Sequence, residues 1–348
     1  MNISKRIISK TNKPFIIAEI SGNHDGSFLK AKKLINAATW AGVDAVKLQT
    51  FKPELMTLDS TKKEFIVNHK NSRWSKKSLF SLFKKSYTPW EWYPKLQKHC
   101  KEKKIILFSS VFDLKSLEFL ENLNFPAYKI ASFENNDFNL IKEISKKKQP
   151  IIMSTGMAKL DEIIKGFNII KKYLPIENIA LLKCTSSYPA QLNESDLNTI
   201  VDMKKRFKCQ IGLSDHTIGT LASVAAVSLG ATIIEKHICL DKKTGIDSFF
   251  SATPKEMKKL VNETKNCWES LGKIFYGPSK SEKNSVKNRR SLFTLKNIKK
   301  NEKFTWKNII SLRPVIGIDS QFCNKVINKI SKKNITKDQA IKWNMIKN

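Results

Sequence analysis

His216 and His237, two of the chain's five histidines, each close a short apolar run: residues 211–213 end in Ser214, Asp215 and His216, and residues 233–236 end in His237. Two imidazoles delivered from neighbouring strand ends can converge on one divalent cation. With Glu19 or a substrate oxygen nearby and water completing the shell, the ion expected is Mn2+ or Mg2+ rather than structural zinc, and it would act as a Lewis acid. Lys47 and Lys129 lie in two further runs of the same kind. A buried ammonium there needs an anionic partner. That partner is either a carboxylate of the chain, Glu19 or Glu134, or a bound anion. Ser110, Ser132, Ser154 and Ser214, which stand at run ends too, would give a bound phosphate or carboxylate its hydroxyl donors, and the anion cradle is the expectation.

All these residues occupy one position in a repeated unit. Apolar runs at 15–20, 45–48, 105–108, 127–130, 151–153 and 179–183 precede the two named above, and each stops at polar side chains. Continuous runs of this length indicate strands buried on both faces, and helix-period segments separate them, so the connections are parallel crossovers. Eight such units predict a closed (β/α)8 TIM barrel, whose active site forms at the C-terminal strand ends where the polar residues stand. Helices are expected over 27–41 with Ser27 as N-cap, then over 114–123, 137–147, 159–173, 194–207 and 218–229, and last over 254–271, opened by Pro254. Between Gln49 and Ile105 lie about 55 residues, more than one crossover needs, which predicts a lid or insertion carrying Trp74, Trp90 and Trp92 near the mouth. The barrel should occupy 1–272, a linker 273–290, and a small β-rich module 291–348, where runs 292–295 and 309–312 alternate.

Composition excludes several classes. No apolar stretch approaches the roughly 20 residues that span a bilayer, and the first 14 residues lack an apolar signal-peptide segment, so a cytoplasmic protein without a membrane partner is expected. The six cysteines are widely separated, which disfavours a zinc knuckle or a disulfide framework, and Cys184 is expected to be a half-buried structural thiol. Net charge is +32, but of 63 basic residues only Arg6, Arg73, Arg206, Arg289, Arg290 and Arg313 are arginines. Lysines scattered over every helix face, with abundant Asn and Ile, point to compositional bias and to a field favouring an anionic small substrate. A nucleic-acid footprint would cluster arginine with aromatic platforms.

The segment AEISGNHDGSFLKAKKLINAATWAGVDAVKLQTF, then YTPWEWY, FSSVFD, PAYKIASFEN, IIMSTGMA, LLKCTSSYPA, IGLSDHTIG and IIEKHICL, resembles the sialic acid synthase family over essentially the whole chain. Within that family SGNH, KLQT and TPWEW resemble the branch that forms pseudaminic acid, and the C-terminal module resembles the family's antifreeze-like (SAF, β-clip) domain. The resemblance implies condensation of phosphoenolpyruvate with an open-chain N-acetylated amino sugar to give a nine-carbon 2-keto acid and phosphate. For this branch the sugar is 2,4-diacetamido-2,4,6-trideoxy-L-altrose; synthesis of N-acetylneuraminic or legionaminic acid is the alternative. By the same resemblance His216 and His237 are metal ligands. Glu19, Lys47, Ser110, Lys129, Ser132, Ser154 and Ser214 match phosphoenolpyruvate-binding and catalytic positions, and Glu134, Tyr188 and Asp247 match positions near the sugar. Arg313 matches the arginine that the SAF domain offers to a partner's active site in a domain-swapped homodimer. Val111 replaces a common proline, and Asn301 and Asp338 replace turn glycines for which Asn and Asp are the best-tolerated substitutes. From another class, a basic barrel binding nucleic acid would show steep salt-dependent binding and no phosphate release.

Overall fold

The structure is a computed structural model of the chain, and it describes residues 1–68 and 74–347. Part of the predicted insertion, residues 69–73, and Asn348 at the end of the predicted module lie outside the described residues. The chain divides into two compact units, Met1–Gly272 and Lys273–Asn348.

The first unit is the expected (β/α)8 barrel. Its strands are β1 (Phe15–Glu19), β2 (Ala45–Thr50), β3 (Ile106–Val111), β4 (Tyr128–Ile130), β5 (Ile151–Ser154), β6 (Ile179–Cys184), β7 (Gln210–Asp215) and β8 (Ile233–His237). Each pairs in parallel with the next, and β8 closes on β1 with His237 opposite Glu19. Every residue of β1, β5 and β8 is buried, the consequence of a sheet covered by side chains inside and helices outside. Ile17, Ile152, Leu181 and Ile234 are wholly inaccessible; each such side chain stabilises the fold by about 2 kcal/mol.

The outer ring is α1 (Phe28–Ala41), α2 (Tyr93–Glu102), α3 (Leu114–Asn122), α4 (Phe138–Lys146), α5 (Leu160–Lys171), α6 (Asn198–Phe207), α7 (Leu221–Ser228) and α8 (Pro254–Leu271). Ser27 caps α1 by accepting from Lys30 N, and Thr253 and Glu256 form a reciprocal capping box on α8. In α1 the buried Ala31, Leu34, Ile35, Ala38 and Ala41 form one stripe against the barrel. A short hairpin, Asn2–Ile3 with Arg6–Ile7, was not anticipated in the polar N-terminal segment; Ile3 and Ile8 are buried in the barrel core cluster.

The insertion between β2 and α2 holds the helices Pro53–Met56 and Leu79–Ser86, and it ends in the turn Trp90–Trp92 that leads into α2. All three tryptophans lie near the C-terminal strand ends, Trp90 donating to the Phe51 carbonyl just past β2, but they face different ways. Trp90 stacks on Phe119 of α3 at 4.4 Å, and Trp92 packs edge-on to His24 and Phe28, so both serve the wall. Trp74 instead meets Tyr188 and Phe249, each 5.8 Å away between ring centroids.

The second unit contains the antiparallel pair β9 (Ser291–Thr294) and β10 (Ile309–Leu312) and a core of its own that includes Leu292, Phe304, Ile309, Ile318 and Ile341. Residues 273–290, expected as a linker, group with this unit. Asn301 and Asp338 adopt φ of +74° and +62°, so both hold the left-handed turn geometry expected of them. Among the described residues no helix is long and apolar enough to cross a membrane.

Candidate active site

Alternation along the strands decides which side chains face inward at the barrel's C-terminal end. Glu19 ends β1, and its Cα partner in β2 is Lys47. Lys47 Nζ lies 2.8 Å from Glu19 Oε2, 2.9 Å from Glu235 Oε1 and 3.0 Å from Ser110 Oγ. Of the two carboxylates expected as internal partners, only Glu19 pairs with Lys47; Glu235 takes the place expected of Glu134. Thus Lys47 is neutralised within the protein and is not a free cation awaiting an anion. Burial works against its charge, but Glu19 and Glu235 outweigh it and hold the ammonium above the ordinary lysine pKa. Burial lifts Glu19 to about 6 against the pull of Lys47, whereas Glu235, which burial would also lift, is brought below its ordinary value by Lys129 and Lys47.

Lys129 is in the opposite situation. It extends from β4 beside Ser110, its Cα partner, and donates to Ser154 Oγ at 2.6 Å and to the Ile130 carbonyl at 3.0 Å. No carboxylate among the described residues comes within 4.0 Å of it, although it is 1% exposed. Burial lowers its pKa to about 8, partly offset by Glu235. A desolvated ammonium held by one hydroxyl and one carbonyl is short of one negative charge.

Ser132 and Glu134 form the turn after β4. Ser132 Oγ accepts from Gly156 N at 3.1 Å, and a Cβ on Gly156 would fall on the Ser132 and Ser186 hydroxyls, so the β5 loop can approach only as glycine. Glu134 Oε2 is buried without a hydrogen-bond partner, and burial raises the carboxyl to about 7 although Lys129 opposes the shift. Ser214, buried at the end of β7, is the Cα partner of Glu235.

The two histidines meet as expected, with ring centroids 5.3 Å apart. His216 Nδ1 donates to the Thr185 carbonyl at 3.0 Å, which leaves the Nε2 lone pair free in the neutral ring. His237 Nδ1 is buried without a hydrogen bond and lies 3.9 Å from Asp247 Oδ2; burial, followed by the His216 charge, keeps this ring neutral. A neutral imidazole with an orphaned nitrogen beside a second imidazole and a carboxylate fits a divalent cation. Among the described residues no three His, Cys, Asp or Glu side chains are already gathered for an ion, so substrate oxygens or water would complete its shell. Asp247 is held by the Ser21 hydroxyl. Cys184 is buried rather than half-buried, with its sulfur 3.8 Å from His216 Nδ1.

Tyr188 lies tilted against His216, ring centroids 4.5 Å apart, and packs near Trp74 and Phe250, and Phe250 in turn lies 4.9 Å from His237. With Phe249 these rings form an aromatic wall on the histidine side. Phe249 and Phe250 are functional-site residues that the sequence marks only as an adjacent aromatic pair two residues after Asp247. Arg313 is exposed in the second unit, on a cavity of about 680 Å3 that Arg289, Arg290 and Asp319 also line.

Residues 34–276 match the NeuB family model, and residues 289–347 match the SAF domain model. The chain is 41% identical over 334 residues to a pseudaminic acid synthase of Campylobacter jejuni strain 81-176, an alignment covering 95% of this chain and 96% of the relative. It is 37% identical to an N,N'-diacetyllegionaminic acid synthase of Campylobacter jejuni strain NCTC 11168, over 95% of this chain and 99% of that one. A crystal structure of N-acetylneuraminic acid synthetase from Leptospira borgpetersenii in complex with citrate superposes with a TM-score of 0.73 at 31% identity, covering 82% of this chain and 94% of the other. An eight-stranded barrel with this ring of strand-end residues, followed by a SAF domain, places the chain in the NeuB family.

Proposed function

We propose that the barrel condenses phosphoenolpyruvate with 2,4-diacetamido-2,4,6-trideoxy-L-altrose to give pseudaminic acid and phosphate. Lys129 carries this reading: a fully buried ammonium, bonded to the Ser154 hydroxyl and with no carboxylate among the described residues in ion-pair contact, calls for an anionic ligand. Its charge, with Ser110, Ser132, Ser154 and Ser214, would hold the enol phosphate. The bond forms between C3 of the enol and C1 of the open-chain sugar, water adds at C2, and phosphate leaves with its bridging oxygen. Glu134 Oε2, unpaired and close to half-ionised at neutral pH, would take the proton from the water adding at C2. Lys47, clamped between Glu19 and Glu235, orients both carboxylates. Bound by His216 and His237, Mn2+ or Mg2+ would supply Lewis-acid polarisation of the sugar aldehyde.

Lys129→Met is expected to raise the KM for phosphoenolpyruvate by about 30-fold, since a hydrogen bond to a charged group contributes roughly 1.5–3 kcal/mol. Steady-state phosphate release against phosphoenolpyruvate concentration measures it, and an unchanged KM would remove Lys129 from the anion site.

The aromatic wall of Trp74, Tyr188, Phe249 and Phe250 suits a sugar bearing a C6 methyl and two acetamido methyls better than the more hydroxylated N-acetylmannosamine. The relatives named as pseudaminic acid synthases point the same way. Mass detection of products from competing sugars should show a strong preference for the trideoxy sugar. Equal or better turnover of N-acetylmannosamine would move the assignment to N-acetylneuraminic acid, and of the legionaminic precursor to that acid.

The working unit we infer is a cytoplasmic, domain-swapped homodimer in which Arg313 reaches the partner's sugar site. An exposed guanidinium can donate to an acetamido oxygen there. Mixing inactive His237→Ala and Arg313→Ala proteins under subunit exchange should restore part of the activity, because one site of each mixed dimer carries both intact residues. No recovery after proven exchange would mean that Arg313 does not act in trans.

A further inference from the structure

Behind the two histidines, on the outer face of the same strands, lies a second buried ion pair. Alternation sends Glu235 and His237 into the barrel and Lys236 outward, and Asp215, the Cα partner of Lys236, faces outward beside His216. Lys236 Nζ lies 2.9 Å from Asp215 Oδ2 and donates to the Thr217 carbonyl at 2.6 Å. Asp215 Oδ1 accepts from Thr217 N at 2.9 Å and from Thr217 Oγ1 at 2.7 Å, and Oδ2 accepts from Ser223 Oγ of α7 at 2.6 Å. The side chains are at most 3% exposed. Two charges withdrawn from water so completely are weak evidence of stabilisation, because desolvation offsets most of their attraction. Their connectivity is more informative. The network ties residue 215 to residue 217 around His216, and it ties both to residue 236, the neighbour of His237.

We propose that the Asp215–Lys236 pair positions His216 and His237, locking the ends of β7 and β8 so that the two imidazoles face one another at the spacing a shared ligand needs. Asp215 and Lys236 touch neither substrate nor metal; they act through the backbone of the residues beside them. The ligand part of the proposal rests on the reading of His216 and His237 as metal-binding.

The test compares full-length wild type with Asp215→Asn/Lys236→Met, in which Asn keeps an acceptor for Thr217 and Met keeps the lysine stem's volume without the tie to the Thr217 carbonyl. A neutral replacement of a buried pair is often thermally tolerated, which separates positioning from stability. Chelator-treated proteins are titrated with Mn2+ while free Mn2+ is followed by electron paramagnetic resonance. Imidazole 1H–15N spectra of the metal-free proteins are recorded, with His24 and His99 as internal controls. The double variant should retain its melting temperature within a few degrees, bind Mn2+ about 10- to 100-fold more weakly, as seen when outer-shell partners of metal ligands are lost, and shift the ring signals of His216 and His237 alone. Ser223→Ala, which removes one hydrogen bond and leaves both charges, should show the same ring shifts in smaller measure and serves if the double variant does not fold. Folded variants with wild-type ring signals and wild-type Mn2+ affinity would overturn the proposal. Absence of Mn2+ binding by wild type would instead overturn the metal reading, and the metal-free ring signals would still decide whether the pair positions the imidazoles.

Discussion

Glu134→Gln is expected to lower kcat by at least about 100-fold, the lower end of what a positioned proton-transfer group contributes, and at the same time to make the protein more resistant to heat at pH 8. The two effects share one cause. Glu134 is a carboxyl pushed by burial up to about 7, with one oxygen lacking a partner. Because its folded-state pKa lies above the unfolded value, its favourable contribution is complete below about pH 4.5 and is lost as pH rises through about 7. At pH 8 the native protein therefore holds an ionised carboxylate at a cost of up to about 3 kcal/mol, following from roughly 1.4 kcal/mol per pKa unit. Gln has the same shape and no charge. Melting curves of the two proteins should nearly coincide at pH 4.5 and separate by several degrees at pH 8, with the variant higher. A variant no more stable at pH 8 would show that the Glu134 carboxylate is not strained, and one that retains wild-type kcat would show that it is not needed as a proton carrier.

His237→Ala should bring turnover below detection while the barrel stays folded. The imidazole has no hydrogen bond at Nδ1 to lose, and it packs against the His216 and Phe250 rings, which remain in place, so truncation is expected to remove function more than structure. The same reasoning predicts that His216→Ala is inactive and that chelation of wild type is reversible by Mn2+ or Mg2+. Circular dichroism and phosphate release, read on the same preparations, check this. Full activity in a chelated, metal-free preparation would refute the role of the two histidines as ligands.

Much of this site is legible in the sequence because a parallel barrel couples two signals. A strand buried on both faces reads as an uninterrupted apolar run, and the residue that ends the run stands at the mouth. That logic places Ser154, Ser214, His216 and His237 at strand ends, and the helix starts at Ser27 and Pro254 follow from equally local chemistry. Pairing across the barrel is not local. Glu235 sits inside its run, not after it, and only strand register brings it to Lys47 in place of Glu134. The length of the insertion indicates that Trp90 and Trp92 lie near the mouth but not which way they face; their three-residue turn directs both rings into the wall that opens α2. Ile3 and the pair Ile7–Ile8 stand in a short polar segment with no sustained period to mark them, yet Ile3 and Ile8 are buried in the barrel core.

Incubation of the purified protein with phosphoenolpyruvate, Mn2+ and 2,4-diacetamido-2,4,6-trideoxy-L-altrose, with phosphate and product measured in the same sample, tests the proposed condensation most directly. The expected result is one phosphate for each nine-carbon 2-keto acid formed, and neither without the sugar. Phosphate release that does not depend on the sugar, or no product from folded, metal-loaded protein, would contradict it.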